Sequence, residues 1–459
     1  MGVRVMGAPA TGPSLTEELH GLLARPVTDD DRRRAARHVL DWLACAVGGA
    51  ATPAGTALRA QAGLAGSGAC TVVGVDGPAA PLDAAFINGG LGNILEMDDI
   101  HRTSILHPGP IIIPAALAAA QAFGRPAEAF LDAVVRGYEA TIRIGRAAGT
   151  PHYARFHATA TCGVFGAAAA VAALLGLDRA ATVAALGNAG ATAGGLWRCR
   201  LEPVMTKQWH NATAAQNGVR AAAAARAGLT GSRFVLEGAE GFFETLASGG
   251  GDPSLVLADP DAPWLLHETS IKPWPSCRHS HPTVDAALLA RDAGIAAGDI
   301  ADLLVESYGD ALRFCDRPEP ATELEAKFSL QHVAAVCLAS GPPTLEDFRP
   351  RALDRAPVAA LRRRVRVARS DALTAAYPEH YGATLTLTLT SGARRRFHVR
   401  DALGDPENPV SPDTLRGKAL SLFAAGGLDP DRAADLTTRT LALGDGGSLA
   451  DVAAGIPNR

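Results

Sequence analysis

A mainly α-helical fold with an inserted α+β unit is predicted by three features of this 459-residue chain. Ala-rich helical periodicity dominates from Asp29 to Ala247, and a strand-rich texture replaces it near Glu268. Helix then returns after Asp405-Pro406-Glu407-Asn408-Pro409. Helical, mixed and helical again is the pattern of a large all-α domain built from both ends of the chain (residues 14–267 and 406–459), with residues 268–405 inserted as the α+β unit. Residues 1–13, rich in Gly and Pro, are expected to be disordered.

The periodicity predicts helices over Asp30–Val47, Pro110–Phe123, Pro126–Ala147, Thr161–Leu175, Arg179–Ala191 and Thr206–Ala227. Pro126 suits a first helical position, and Gly176 and Gly228 suit helix stops. These helices are apolar almost all round, so they belong to a buried bundle in which small residues let the axes approach closely. In the insert, Leu303–Tyr308, Arg364–Ala368, Thr384–Thr390 and Arg395–Arg400 read as strands. The last two flank Ser391-Gly392 as a hairpin, and Leu385, Leu387 and Leu389 alternate with threonines. Helices are expected at Pro282–Ala293 and Glu323–Leu338, and again at Pro412–Ala424.

Composition excludes several function classes. Acids exceed bases, 47 against 43, and the arginine triplets at 32–34, 362–364 and 394–396 stand in unrelated contexts, as solvated faces rather than a basic groove. No nucleic-acid partner is expected. The seven cysteines show no CxxC spacing, and Cys45, Cys162 and Cys337 lie in apolar runs, which fits a reducing cytoplasm. No signal peptide is indicated. The longest apolar stretch, Val164 to Leu177, reads as too short to span a bilayer, so no membrane partner is expected. There is no dinucleotide fingerprint, phosphate loop, GxSxG elbow or iron–sulfur spacing, and no cofactor is expected.

Four segments carry chemistry. The first is Leu95-Glu96-Met97-Asp98-Asp99-Ile100-His101, followed by His107-Pro108. It crowds three carboxylates and two imidazoles at a helix-to-loop junction, the equipment for proton transfer near neutral pH. Pro108 disfavours helix at His107 and presents it from a loop. The second, His157-Ala158-Thr159-Ala160-Thr161, precedes a helix. It offers hydroxyls and backbone N–H groups to an anion, or else uses Thr161 as an N-cap.

The third segment, Met205-Thr206-Lys207-Gln208-Trp209-His210, opens a helix with Lys207 and His210 on one face. A lysine in the first turn opposes the helix dipole, so anion binding explains it better than structure does. The fourth runs from Ile271-Lys272-Pro273 to Cys277-Arg278-His279-Ser280-His281 at the domain junction. Alternating Cys277, His279 and His281 invite a zinc reading, but no second ligand cluster completes it and no metal is expected. Lys272 and Arg278 suit carboxylates instead. Pooled, the four segments are an inventory for binding a polyanion and moving protons.

In this order the segments resemble the MmgE/PrpD family, which includes 2-methylcitrate dehydratase, cis-aconitate decarboxylase and iminodisuccinate epimerase. The likeness also takes in Leu40-Asp41-Trp42-Leu43-Ala44-Cys45, Leu236-Glu237-Gly238, Ala326-Lys327-Phe328-Ser329-Leu330 and Gly404-Asp405-Pro406-Glu407-Asn408-Pro409. The resemblance implies an all-α domain with an α+β lid, a homodimer, and metal-independent lyase or isomerase chemistry on di- or tricarboxylates. It assigns pocket positions to Glu96, His107, His157, Lys207 and Lys272, with Asp98 and Asp99 beside them. His101, Thr161, His210, Arg278 and His279 complete the substrate-binding candidates. Two departures bear on substrate: Glu96 stands where the dehydratase and decarboxylase branches usually have Asp, and the loop before His107 is one residue longer than in the decarboxylase branch. The expected function is a cofactor-independent dehydratase or decarboxylase. An epimerase using the same pocket, or a carboxylate binder without turnover, are the alternatives.

Overall fold

The structure, a computed structural model, describes residues 12–64, 66–202, 204–247 and 250–457. Of the segment for which disorder is expected, residues 1–11 lie outside the described ones. The first part of the chain is helical: α1 (Leu15–Leu23), α2 (Asp29–Ala50), α3 (Pro53–Arg59), α4 (Pro81–Leu91), α5 (Gly109–Ala122), α6 (Ala127–Tyr153), α7 (Ala158–Leu175), α8 (Arg179–Gly190), α9 (Thr206–Arg226) and α10 (Phe242–Leu246). Short strands β1 (Ser67–Cys70), β2 (Ile100–His101) and β3 (Thr269–Ser270) punctuate it. Ser14 and Thr28 start α1 and α2 through capping boxes with Glu17 and Asp31, which satisfy orphan N–H groups at each end.

The apolar run expected to begin at Val164 belongs to a helix beginning at Ala158. By length and composition α7 is able to cross a membrane, yet it is 94% buried among the other helices of this fold. Glycines permit that packing. A Cβ on Gly166 of α7 would overlap the Thr141 hydroxyl and the Gly137 carbonyl of α6. Gly166→Ala is therefore expected to destabilise the protein by about 1–3 kcal/mol, the scale of overpacking a tight core, visible as a lower melting temperature. An unchanged melt would mean that α6 and α7 separate freely.

The sheet-bearing part contains α11 (His281–Asp292), β4 (Ile300–Ser307), α12 (Gly309–Cys315), α13 (Glu323–Lys327), α14 (Leu330–Ser340), α15 (Pro350–Leu353), α16 (Ala356–Arg362), β5 (Val365–Arg369), α17 (Asp371–Ala376), β6 (Ala383–Leu389) and β7 (Arg394–Val399). Its sheet has the order β5-β4-β6-β7, with β4 and β5 parallel and the other pairs antiparallel. The hairpin forms as expected, but β6 is central. Thr384 and Thr386 are buried along with Leu385 and Leu387, so its alternation does not mark a solvent face. The single helix expected over Glu323–Leu338 is two, because Ser329 leaves helical geometry and caps α14 by accepting from His332 N. Arg362 is likewise not on a solvated face: it is buried and donates to Leu353 O.

Helices α18 (Pro412–Ala425), α19 (Pro430–Ala442) and α20 (Leu449–Gly455) follow. Among the described residues two large apolar cores form, with two small clusters around Cys315 and Tyr308 beside them. Leu415, Leu422, Phe423 and Leu436 join Trp42, Val47 and the helices of the first part, while Val284, Leu303, Leu385 and Val399 belong to the second core.

Candidate active site

Between α4 and β2 the chain turns through residues 92–99, carrying Glu96 and Asp98. β2 pairs antiparallel with β3, Ile100 opposite Ser270 and His101 opposite Thr269. Continued outward, that register sets Asp98 against Lys272, and Lys272 Nζ lies 3.7 Å from Asp98 Oδ1. Asp405 secures the ladder from outside by accepting from Ser270 Oγ at 2.7 Å and from Ala402 N at 3.0 Å, and it pairs with Arg278. Gly404, at φ 100°, accepts from Ile271 N through its carbonyl and has no room for a Cβ against the Ile271 carbonyl.

Packing of α9 on α4 brings Lys207, in the first turn of α9, to Glu96, with which it forms an ion pair. His107 lies just before α5. Its backbone N–H donates to Thr159 Oγ1 at the start of α7, and its Nδ1 stands 2.9 Å from Asp98 Oδ2. Asp98 also accepts from Asn93 Nδ2 at 2.6 Å. Five side chains from three regions of sequence thus converge. The side chains of Lys207 and His107 are 20% and 14% exposed, those of Asp98 and Lys272 at most 1%, so the cluster has an open end and a closed end.

Burial is the largest influence on both carboxyls and pushes them up, but it is outweighed. The Lys207 and Lys272 ammoniums bring Glu96 below its ordinary value, and His107 and Lys272 hold Asp98 well below. For Lys207, desolvation is overcome by Glu96 and Asp98, and its pKa is raised. His157 is held well below its usual value by burial first, then by the charges of Lys207, His210 and His107. The site at neutral pH therefore holds ionised carboxylates, protonated Lys207 and a neutral His157. An ionised Asp98 facing His107 Nδ1 favours a proton on that nitrogen and leaves Nε2 as the ring nitrogen turned away from Asp98.

The other sequence candidates are placed as follows. His157 N-caps α7 with its backbone, and its ring lies 4.5 Å from that of Trp197 and 5.6 Å from that of His210. His279 gives or accepts a 2.7 Å hydrogen bond with Tyr308 OH and stacks between Phe314 and Tyr381; burial, then Arg278, His107 and Lys272, lower it to about 3. Both remain beside the cluster.

Four candidates are engaged elsewhere. Asp99 accepts from His38 Nδ1, Tyr138 OH and Gly109 N at 2.7–3.0 Å. His101 bonds to Ser104 Oγ, and Arg278 pairs with Asp405. Thr161 is not an N-cap: the helix starts at Ala158, and the Thr161 hydroxyl sits 2.7 Å from His152 Nε2. Cys277, His279 and His281 face Cys315, Tyr308 and the Ser276 carbonyl respectively, so they share no common centre. Among the described residues His380, Asp401 and Glu407 have metal-like spacing, but Arg102 already binds both carboxylates.

A cavity of about 500 Å³ opens alongside, lined in part by Gly195, Leu196, Thr206, Trp209 and His210. Sequence reasoning did not single out Asn93, Lys327 or Lys418. Lys418 carried a signal, since it lies on the buried stripe of α18 between Leu415 and Leu422, where a lysine is out of place.

The MmgE/PrpD N-terminal domain matches residues 14–254, and the MmgE/PrpD C-terminal domain matches residues 274–442. The chain belongs to the MmgE/PrpD family. The second family domain runs across both cores, since α18 and α19 pack with the first. A cis-aconitate decarboxylase-like protein of Aspergillus oryzae is 27% identical over 443 residues, 90% of each chain. Cis-aconitate decarboxylase of Mus musculus is 27% identical over 422 residues, 87% of this chain and 84% of its own. 2-Methylcitrate dehydratase of Cupriavidus necator is 28% identical over 237 residues, 49% of this chain and 48% of its own. All three names denote lyases or a lyase-like protein.

Proposed function

We propose that this MmgE/PrpD protein is a cofactor-independent lyase that dehydrates or decarboxylates a small di- or tricarboxylate. The observation that carries the reading is the meeting of Lys207 and Lys272 with Glu96, Asp98 and His107 in one buried cluster. Glu96 and Asp98 keep ammonium charge available in a desolvated place until a substrate carboxylate shares it. Fixed positive charge there lowers the cost of negative charge appearing on carbon as a proton or CO₂ departs. His107 Nε2, oriented through Asp98, is the proposed proton-transfer group, with neutral His157 as its counterpart. The relatives' names favour dehydration or decarboxylation over epimerisation. The reading retains the homodimer and the closing lid that the family resemblance implies.

The test is NMR of chelator-treated protein in D₂O with a panel of polycarboxylates that includes cis-aconitate and 2-methylcitrate. It reports proton exchange, CO₂ loss, hydration and epimerisation together. No new species from any panel member, with ligand-dependent stabilisation alone, would identify a binder. Activity lost on chelation and restored by zinc or iron would remove the metal-free mechanism.

Glu96 also predicts selectivity. Its extra methylene and the longer loop before His107 shift the proton-transfer groups relative to the lysines, and about 1 Å of misplacement costs roughly 100-fold in rate. Poor turnover of cis-aconitate and 2-methylcitrate, with a related polycarboxylate preferred, is expected, and Glu96→Asp should change the ranking. Efficient native turnover of 2-methylcitrate that Glu96→Asp leaves unchanged would show that neither difference sets specificity.

A further inference from the structure

Glu96 has φ 58°, in the left-handed region that non-glycine residues avoid. Such a conformation persists only where its surroundings impose it. The carbonyls of the residues before and after Glu96, Leu95 and Met97, are held by buried ammoniums. Lys327 Nζ on α13 donates to Leu95 O at 3.3 Å, and Lys418 Nζ on α18 donates to Met97 O at 2.5 Å. The two lysines are only 3% and 7% exposed, and among the described residues their ion pairs lie outside the cluster: Lys327 pairs with Glu323 and Lys418 with Asp41. Lys327 reaches the other wall of the cluster as well, because its own carbonyl accepts from Cys277 N at 2.9 Å, in the segment that carries Lys272 and His279.

Burying two ammoniums is costly, and fixing two neutral carbonyls is a weak structural return for it. We propose that Lys327 and Lys418 are positioning residues: they clamp the carbonyls of Leu95 and Met97, the neighbours of Glu96, impose its left-handed conformation and so aim its carboxylate at Lys207. Lys327 also makes the geometry of Glu96 depend on where the sheet-bearing part sits, since it ties the Glu96 turn and the Lys272 segment to α13. The proposal rests on the reading of Glu96 as a pocket residue.

The experiment uses two variants of the full chain. Asp41→Asn/Lys418→Met removes a buried pair without leaving a lone charge, and Lys327→Met releases only Glu323, which is half-exposed and returns to water. Both are crystallised and assayed with the panel member that native protein turns over best. The expected result is Glu96 relaxed to negative φ, its pairing with Lys207 broken, and kcat reduced about 10–100-fold, while KM changes less than about threefold, because the lysines touch no substrate. A purely structural role would lower melting temperature and leave kcat per folded molecule and the conformation of Glu96 intact, which would overturn the proposal. Retention of left-handed Glu96 in both variants would overturn it too, whatever happens to kcat. If native protein turns over nothing in the panel, the lyase reading fails, and the conformation of Glu96 in the two crystal structures still decides the positioning role.

Discussion

His107→Gln is expected to lose about 10²–10⁴-fold in kcat, the usual contribution of a positioned acid or base, and to melt close to the native protein. His107 is partly exposed, and its ring faces Asp98 at 2.9 Å. Removing it takes away the proton-transfer group at the open end of the cluster without creating a core cavity. Asp98→Asn tests the other half of the pair. It keeps the shape but no longer fixes the tautomer of His107 or balances Lys272, so kcat should fall by a comparable factor.

The same variant has a pH signature. The Asp98 carboxyl is held well below its ordinary value in the fold. Its contribution to stability is thus complete above the unfolded value of about 3.9 and is lost as pH falls from there toward the folded value. The melting temperature of Asp98→Asn should therefore decline less steeply in acid than that of native protein. Identical acid limbs, or near-native kcat in His107→Gln, would take this pair out of the mechanism.

Lys272→Met should lower kcat/KM by about 10- to 150-fold, equivalent to about 1.5–3 kcal/mol for a lost charge-assisted interaction in the transition state. Stability should move little. The Lys272 ammonium is wholly buried, and among the described residues its ion-pair partner is Asp98 at 3.7 Å, a carboxylate that keeps His107 at 2.9 Å as a second partner when Lys272 is removed. Steady-state kinetics and a thermal melt on one preparation check both halves. A variant with near-native kcat/KM would strike Lys272 from the site, and a large loss of stability would show that the ammonium serves the fold instead.

Much of the architecture was legible because it rests on periodicity. Six of the eight described helices between Asp29 and Arg226 and all four strands of the larger sheet follow apolar spacing and Gly or Pro punctuation closely, whereas the short α3 and α4 were not read from the sequence. What escaped depends on contacts that spacing does not encode. The break at Phe328-Ser329 needs only one residue to leave helical geometry. The burial of Thr384 and Thr386 follows from the central place of β6, which is a property of the whole sheet.

In the site, acidic and basic residues in atypical settings marked the four segments, and the MmgE/PrpD resemblance pointed within them to Glu96, Asp98, His107, Lys207 and Lys272. Their meeting depends on the two-residue ladder between β2 and β3, too short to read from either segment alone. Thr161, Asp99 and Arg278 were chosen for the right chemistry but are engaged by His152, His38 with Tyr138, and Asp405, partners distant enough in sequence to be invisible beforehand.

The packing of α18 and α19 against α2 has a consequence for how the protein is made. Translation delivers α2 early, but the residues that cover its outer side, Leu415, Leu422 and Leu436 among them, come only after the whole sheet-bearing part. At about 5–20 residues per second, the nascent helical body must wait on the order of tens of seconds with that apolar surface open, a natural client for a holding chaperone. A premature stop anywhere before Pro412 would leave the surface bare for good and remove Lys418 with it. Late nonsense mutations should therefore be as damaging to this protein as early ones, yielding aggregated or degraded product rather than a shortened, working enzyme.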